Sequence, residues 1–144
     1  MIGFDGREDG HRATRWARGL ALDSPGTVLH LTHALALPAV PMHSLDLSAE
    51  EIFAAAERQI REQLEAARAE LAAAGVAAEV HVRRWLPADT LLEQANELGA
   101  ALLVVGQHGG RAHRMLIGST SSRVSREARI PRSEEHTSEL QSQF

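Results

Sequence analysis

Short apolar segments alternate with longer amphipathic ones along this chain, and that alternation leaves few folds open. Residues 2–4, 27–34, 78–85 and 101–105 read as strands, and the stretches between them repeat apolar residues at helical spacing. The pattern argues for an α/β domain on a single open parallel sheet. Crossovers in such a sheet are right-handed. A length of 144 residues suits one domain with one core.

The helices have legible ends. The first carries Ala13, Trp16, Ala17 and Leu20 from about Arg12 onward and stops at Asp23-Ser24-Pro25-Gly26. Residues 35–47, with Pro38 and Pro41, read as a loop. Ser48 and Glu51 form a capping box before a long helix with Ile52, Ala56, Ile60, Leu64, Ala67 and Leu71 on one face. Gly75 ends that helix. In the third strand Val80 and Val82 point one way, and Glu79, His81 and Arg83 the other. Pro87 and Asp89 open a third helix with Leu91, Leu92, Ala95 and Leu98, and Gly99 closes it. A last helix is expected over 118–128. Trp16, Ile52, Ile60, Leu64 and Leu71 are the predicted core, and Glu57 with Arg61 a solvated i, i+4 pair.

Composition removes several function classes. Net charge is a mild −4 and no basic run stands out, so no nucleic-acid footprint is expected. Cysteine is absent, which excludes disulfides and thiolate metal sites. The first residues do not read as a signal peptide, and no apolar run has the length of a membrane span. A soluble, cytoplasmic protein is the expectation. Every basic residue is arginine and alanine is abundant, a coding bias expected of a GC-rich bacterial genome.

The stretch with most chemistry is Val104-Val105-Gly106-Gln107-His108-Gly109-Gly110, followed by Gly118-Ser119-Thr120. A buried strand runs into a glycine loop, and a second small-residue cluster starts a helix. Backbone N–H groups can converge there on a phosphate. A plain turn and helix cap is the bland reading of the same glycines.

With its glycines at 106, 109 and 118 and its serine at 119, the chain resembles the universal stress protein family over residues 1–131. The family's phosphate loop is glycine, two residues, glycine, nine residues, glycine, then serine or threonine. Only eight residues, 110–117, separate Gly109 from Gly118, one fewer than that pattern. Phe4-Asp5-Gly6, Leu29-His30-Leu31-Thr32-His33-Ala34 and the run from Gly99 to Gly106 extend the similarity. The resemblance implies a Rossmann-like sheet ordered 3-2-1-4-5, with ATP in the crevice between strands one and four. A ligand at the carboxyl ends of the strands beside a switch point is the general rule for open sheets.

On this reading Gly106, Gly109 and Gly110 let backbone approach the phosphates, and Gly118, Ser119 and Thr120 present amides and hydroxyls at a helix start. Arg111 is the favoured cation among His108, Arg111, His113 and Arg114, since guanidinium matches phosphate oxygens. Asp5 accepts from the adenine amino group, or else caps the first helix. His33 and Ala34 meet the base or ribose. His30 and His33 lie on opposite faces of a strand, so no shared metal and no metal site is expected.

The resulting expectation is an ATP-binding regulatory module of the stress-response type whose bound state is read by an unidentified protein partner, with Mg²⁺ as an optional companion of the nucleotide. The alternative is an interaction module of the same fold that no longer binds nucleotide, which the shorter loop favours. No residue is placed as a catalytic base and no Walker lysine is present, which leaves at most slow hydrolysis or self-phosphorylation. An adenylating enzyme would need a Ser-Gly-Gly-x-Asp-Ser loop after strand one, and Phe4-Asp5-Gly6-Arg7-Glu8 does not supply it.

After Pro131 the composition changes. Residues 132–144 contain no Ala, Gly or Val, and they resemble the translation of a sequencing-library adapter. They are expected to be a non-native, disordered tail in place of an apolar fifth strand. The family's usual homodimer through that strand is therefore in doubt, and strand four would be an open edge.

Overall fold

The structure, a computed structural model, describes residues 1–36, 47–84 and 87–106, and the backbone of 132–135. In chain order the elements are β1 (Ile2–Gly3), α1 (Glu8–Asp23), β2 (Val28–Leu35), α2 (Ala49–Ala73), β3 (Ala77–Arg84), α3 (Pro87–Glu97), β4 (Leu103–Gly106) and β5 (Arg132–Glu135). The sheet runs β3-β2-β1-β4-β5, with every neighbouring pair parallel. The expected order 3-2-1-4 is the one observed.

No apolar fifth strand lies among the described residues. The edge beside β4 is taken instead by Arg132–Glu135, with Leu103 opposite Arg132 and Gly106 opposite Glu135. These four residues belong to the segment expected to be a non-native, disordered tail. An open edge offers a row of unpaired N–H and C=O groups, and any extended backbone can pair with it whatever its side chains.

Helices cover both faces, as a parallel sheet requires. On one face Ile2, Phe4, Leu29, Leu31 and Val104 pack with Ala13 and Ala17 of α1 and Ile60, Leu64, Ala67 and Leu71 of α2. Val80 and Val82 join them from β3, on the side predicted. On the other face Ala88, Leu91 and Ala95 of α3 meet Met1, Leu103 and Val105. Ser48 caps α2 as expected: its Oγ accepts from the Glu51 amide at 3.2 Å, and Glu51 Oε2 accepts from the Ser48 amide at 2.7 Å. Gly75 and Gly99 stop α2 and α3 at φ +82° and +59°, values that suit glycine.

Helix α1 departs from expectation. It starts at Glu8, before the apolar periodicity begins, and it buries Gly10, Ala13, Thr14, Ala17 and Ala21. Trp16 and Leu20, read as apolar-face residues, are 38% and 42% exposed. The reason is proximity. A Cβ built on Gly106 would lie 2.7 Å from the Asp9 carbonyl oxygen, so α1 rides directly on the end of β4. Only small side chains fit beneath a helix that close, and the large ones turn outward.

Candidate functional site

The switch point lies at the carboxyl end of β1, between β2 and β4. Four of the predicted site residues fall there. Asp5 follows β1, His33 and Ala34 lie near the end of β2, and Gly106 ends β4. Pairing continues one step past β1, where the Phe4 amide donates to the Thr32 carbonyl at 2.8 Å. That bond holds the start of the β1–α1 turn against β2.

Asp5 is built into the turn. Its Oδ1 accepts from the Arg7 amide at 2.9 Å, a side chain standing in for backbone in a tight turn. The carboxylate thus sits at the entrance to α1, where exposed amides favour negative charge. Gly10 makes the room: a Cβ there would lie 2.6 Å from Asp5 Oδ1 and 3.1 Å from the Asp5 nitrogen. Gly6 has φ +75°, and a Cβ on it would run into the Gln63 amide of α2. Sequence reasoning passed over Gly10, although a glycine in the first turns of a helix is itself a signal, since alanine is better there unless something needs the space.

His33 is oriented by the same turn. Its Nδ1 lies 2.7 Å from the Phe4 carbonyl oxygen. A carbonyl only accepts, so Nδ1 carries the proton and donates. Burial holds the imidazole below its ordinary value, and the Phe4 carbonyl and the Asp5 charge oppose that in part. The ring is therefore neutral near pH 7, with Nε2 as an acceptor. Gly106, expected to let backbone approach a phosphate, is packed closely against the Asp9 backbone of α1. Gly109, Gly110, Arg111, Gly118, Ser119 and Thr120, with His108, His113 and Arg114, lie outside the described residues.

A second group lies on β2 and β3. His30 Nδ1 is 3.0 Å from His81 Nε2, and Glu79 stands beside both. Burial, and then the charges of His30 and Arg83, hold His81 below the ordinary imidazole value, against the pull of Glu79. No helix among the described residues is long and apolar enough to cross a membrane.

The comparisons agree with this geometry. The model of the universal stress protein family matches residues 1–131. A universal stress family protein from Burkholderia pseudomallei superposes with a TM-score of 0.74 at 24% identity, over 93% of each chain. A universal stress protein in complex with cAMP gives 0.71 at 28% identity, over 95% of this chain and 94% of that one. The universal stress protein from Archaeoglobus fulgidus in complex with dAMP gives 0.64 at 21%, over 92% and 93%. No curated protein sequence matches the chain. On its family match, sheet order and crevice, the chain belongs to the universal stress protein family.

Proposed function

We propose that the chain is a stress-response regulatory module that binds ATP at the carboxyl ends of β1 and β4. The observation that carries this reading is the pairing of Asp5 and His33 around the Phe4 peptide. Asp5 presents a carboxylate and His33 a neutral Nε2, and both are acceptors. An adenine amino group and ribose hydroxyls are the matching donors. Relatives in complex with cAMP and with dAMP favour the same ligand class.

The triphosphate would lie toward Gly106 and the glycine loop beyond it, with Gly109, Gly110, Gly118, Ser119 and Thr120 offering amides and hydroxyls and Arg111 offering charge. Mg²⁺, if it accompanies ATP, is held largely by phosphate oxygens and water, as that ion prefers. No residue is assigned a catalytic role. The bound state would be read by a protein partner in a soluble, cytoplasmic setting.

Thermal unfolding with and without ATP tests the reading. At a hundredfold excess over the dissociation constant, ATP should add about 2.7 kcal/mol of stability. Asp5→Ala and His33→Phe should each reduce the shift, and GTP, which lacks the amino donor at that position, should give less. The shortened loop favours a second reading, a protein-interaction module without nucleotide. A folded chain whose midpoint ignores ATP at every concentration would support that second reading and sink the first.

A further inference from the structure

His30, Glu79 and His81 bring three metal-ligating atoms together from two neighbouring strands. The register makes this possible. His30 pairs with Glu79 across β2 and β3, and His81 pairs with Thr32, the next residue but one along β2. Alternation then sets all three side chains on one face of the sheet. The distances are 3.0 Å between the imidazole nitrogens, 3.5 Å from His30 Nδ1 to Glu79 Oε2, and 3.9 Å from His81 Nε2 to the same oxygen.

Three points at those separations lie on a circle of radius about 2.0 Å, which is the bond length of Zn²⁺ to imidazole nitrogen and carboxylate oxygen. We propose that His30, His81 and Glu79 form a binding site for a divalent transition-metal ion of the zinc type, with water completing the coordination. The donor set suits this class: two borderline nitrogens and one hard oxygen favour Zn²⁺, Co²⁺ or Ni²⁺ over Mg²⁺ or Ca²⁺.

The surroundings agree. The two histidine side chains are only 21% and 22% exposed, so they are held by packing, whereas Glu79 is 62% exposed and can swing to close the geometry. Arg83, whose charge acts on His81, is already engaged: it donates to Gln94 Oε1 at 2.6 Å and to Glu97 Oε2 at 3.0 Å, both on α3. The rings stack at 25° with centroids 5.2 Å apart. The two nitrogens lie at hydrogen-bond distance, and for both to ligate an ion each ring must carry its proton on the other nitrogen. Bound there, the ion would pin β3 to β2.

The test uses the full chain, stripped of metal and titrated with Zn²⁺ by calorimetry and with Co²⁺ by visible absorption. The expected result is one ion per chain at micromolar concentration, with the intense visible bands of four-coordinate Co²⁺. His30→Ala and His81→Ala should each weaken binding by at least about tenfold. His11→Gln should leave it unchanged, since His11 packs against Phe4 away from the cluster. Glu79→Gln keeps the test valid if a histidine variant fails to fold, because that side chain is exposed, and it should also weaken binding. A wild-type chain that takes up neither ion, or that binds equally well after Glu79→Gln and His81→Ala, would overturn the proposal and leave an ordinary imidazole hydrogen bond.

Discussion

Replacing Gly106 with alanine would drive a methyl group into the first turn of α1. The added Cβ would sit 2.7, 2.8 and 2.9 Å from the carbonyl oxygen, carbonyl carbon and Cβ of Asp9. Two of those atoms are backbone, so no side-chain rotation relieves the contact, and either the helix or the strand must move. Overpacking of this kind costs about 1–3 kcal/mol. Removing a glycine also narrows the unfolded ensemble, which returns about 0.4–1 kcal/mol. The net expectation is a loss of about 1–2 kcal/mol, or about 3–8 °C in the midpoint for a domain of this size. Urea unfolding followed by circular dichroism measures it. Gly19→Ala is the internal control: it lies in the same helix with nothing within 4 Å of its added Cβ. That change should stabilise by up to about 1 kcal/mol through helix propensity alone. A Gly106→Ala protein as stable as wild type would refute the close seating of α1 on β4.

Two further perturbations follow from named contacts. Ser48→Ala removes half of the capping box and should cost about 1 kcal/mol in the same unfolding assay. His33 is held below its ordinary value of 6.5 by burial, so its contribution to stability is complete above that pH and is lost as pH falls through the lower folded value. Stability plotted against pH should therefore slope downward below 6.5, and His33→Gln should flatten that slope, while His81, shifted in the same direction, keeps it from vanishing.

Local signals in the chain were readable where one residue decides an outcome. Ser48 and Glu51 announced the start of α2, and the alternation of Val80 and Val82 against Glu79, His81 and Arg83 assigned the faces of β3. Those patterns depend on neighbours a few residues away. The buried face of α1 was misread because it depends on how near β4 lies, a tertiary distance that periodicity does not carry. Trp16 fitted the helical spacing, yet Gly10, Ala13 and Ala17 face the sheet because only they fit.

The same division holds at the site. Asp5, His33, Ala34 and Gly106 were nominated with the help of the family resemblance, and all four lie at strand ends beside the switch point. The reciprocal fit of Gly10 and Asp5 was missed, because it joins a turn to a helix through space. The histidine cluster escaped for a related reason. His30 was weighed only against His33 on its own strand, and its partner His81 lies on the neighbouring one, at a register no single strand reveals.

Titrating the isotopically labelled chain with ATP and following its amide resonances puts the nucleotide site itself to trial. The resonances of Asp5, Gly6, His33, Ala34 and Gly106, all at the carboxyl ends of the strands, should move together along one saturating curve. Movement confined to Gly75 and Gly99, at the opposite end of the sheet, or no movement at all, would contradict a crevice built around Asp5 and His33.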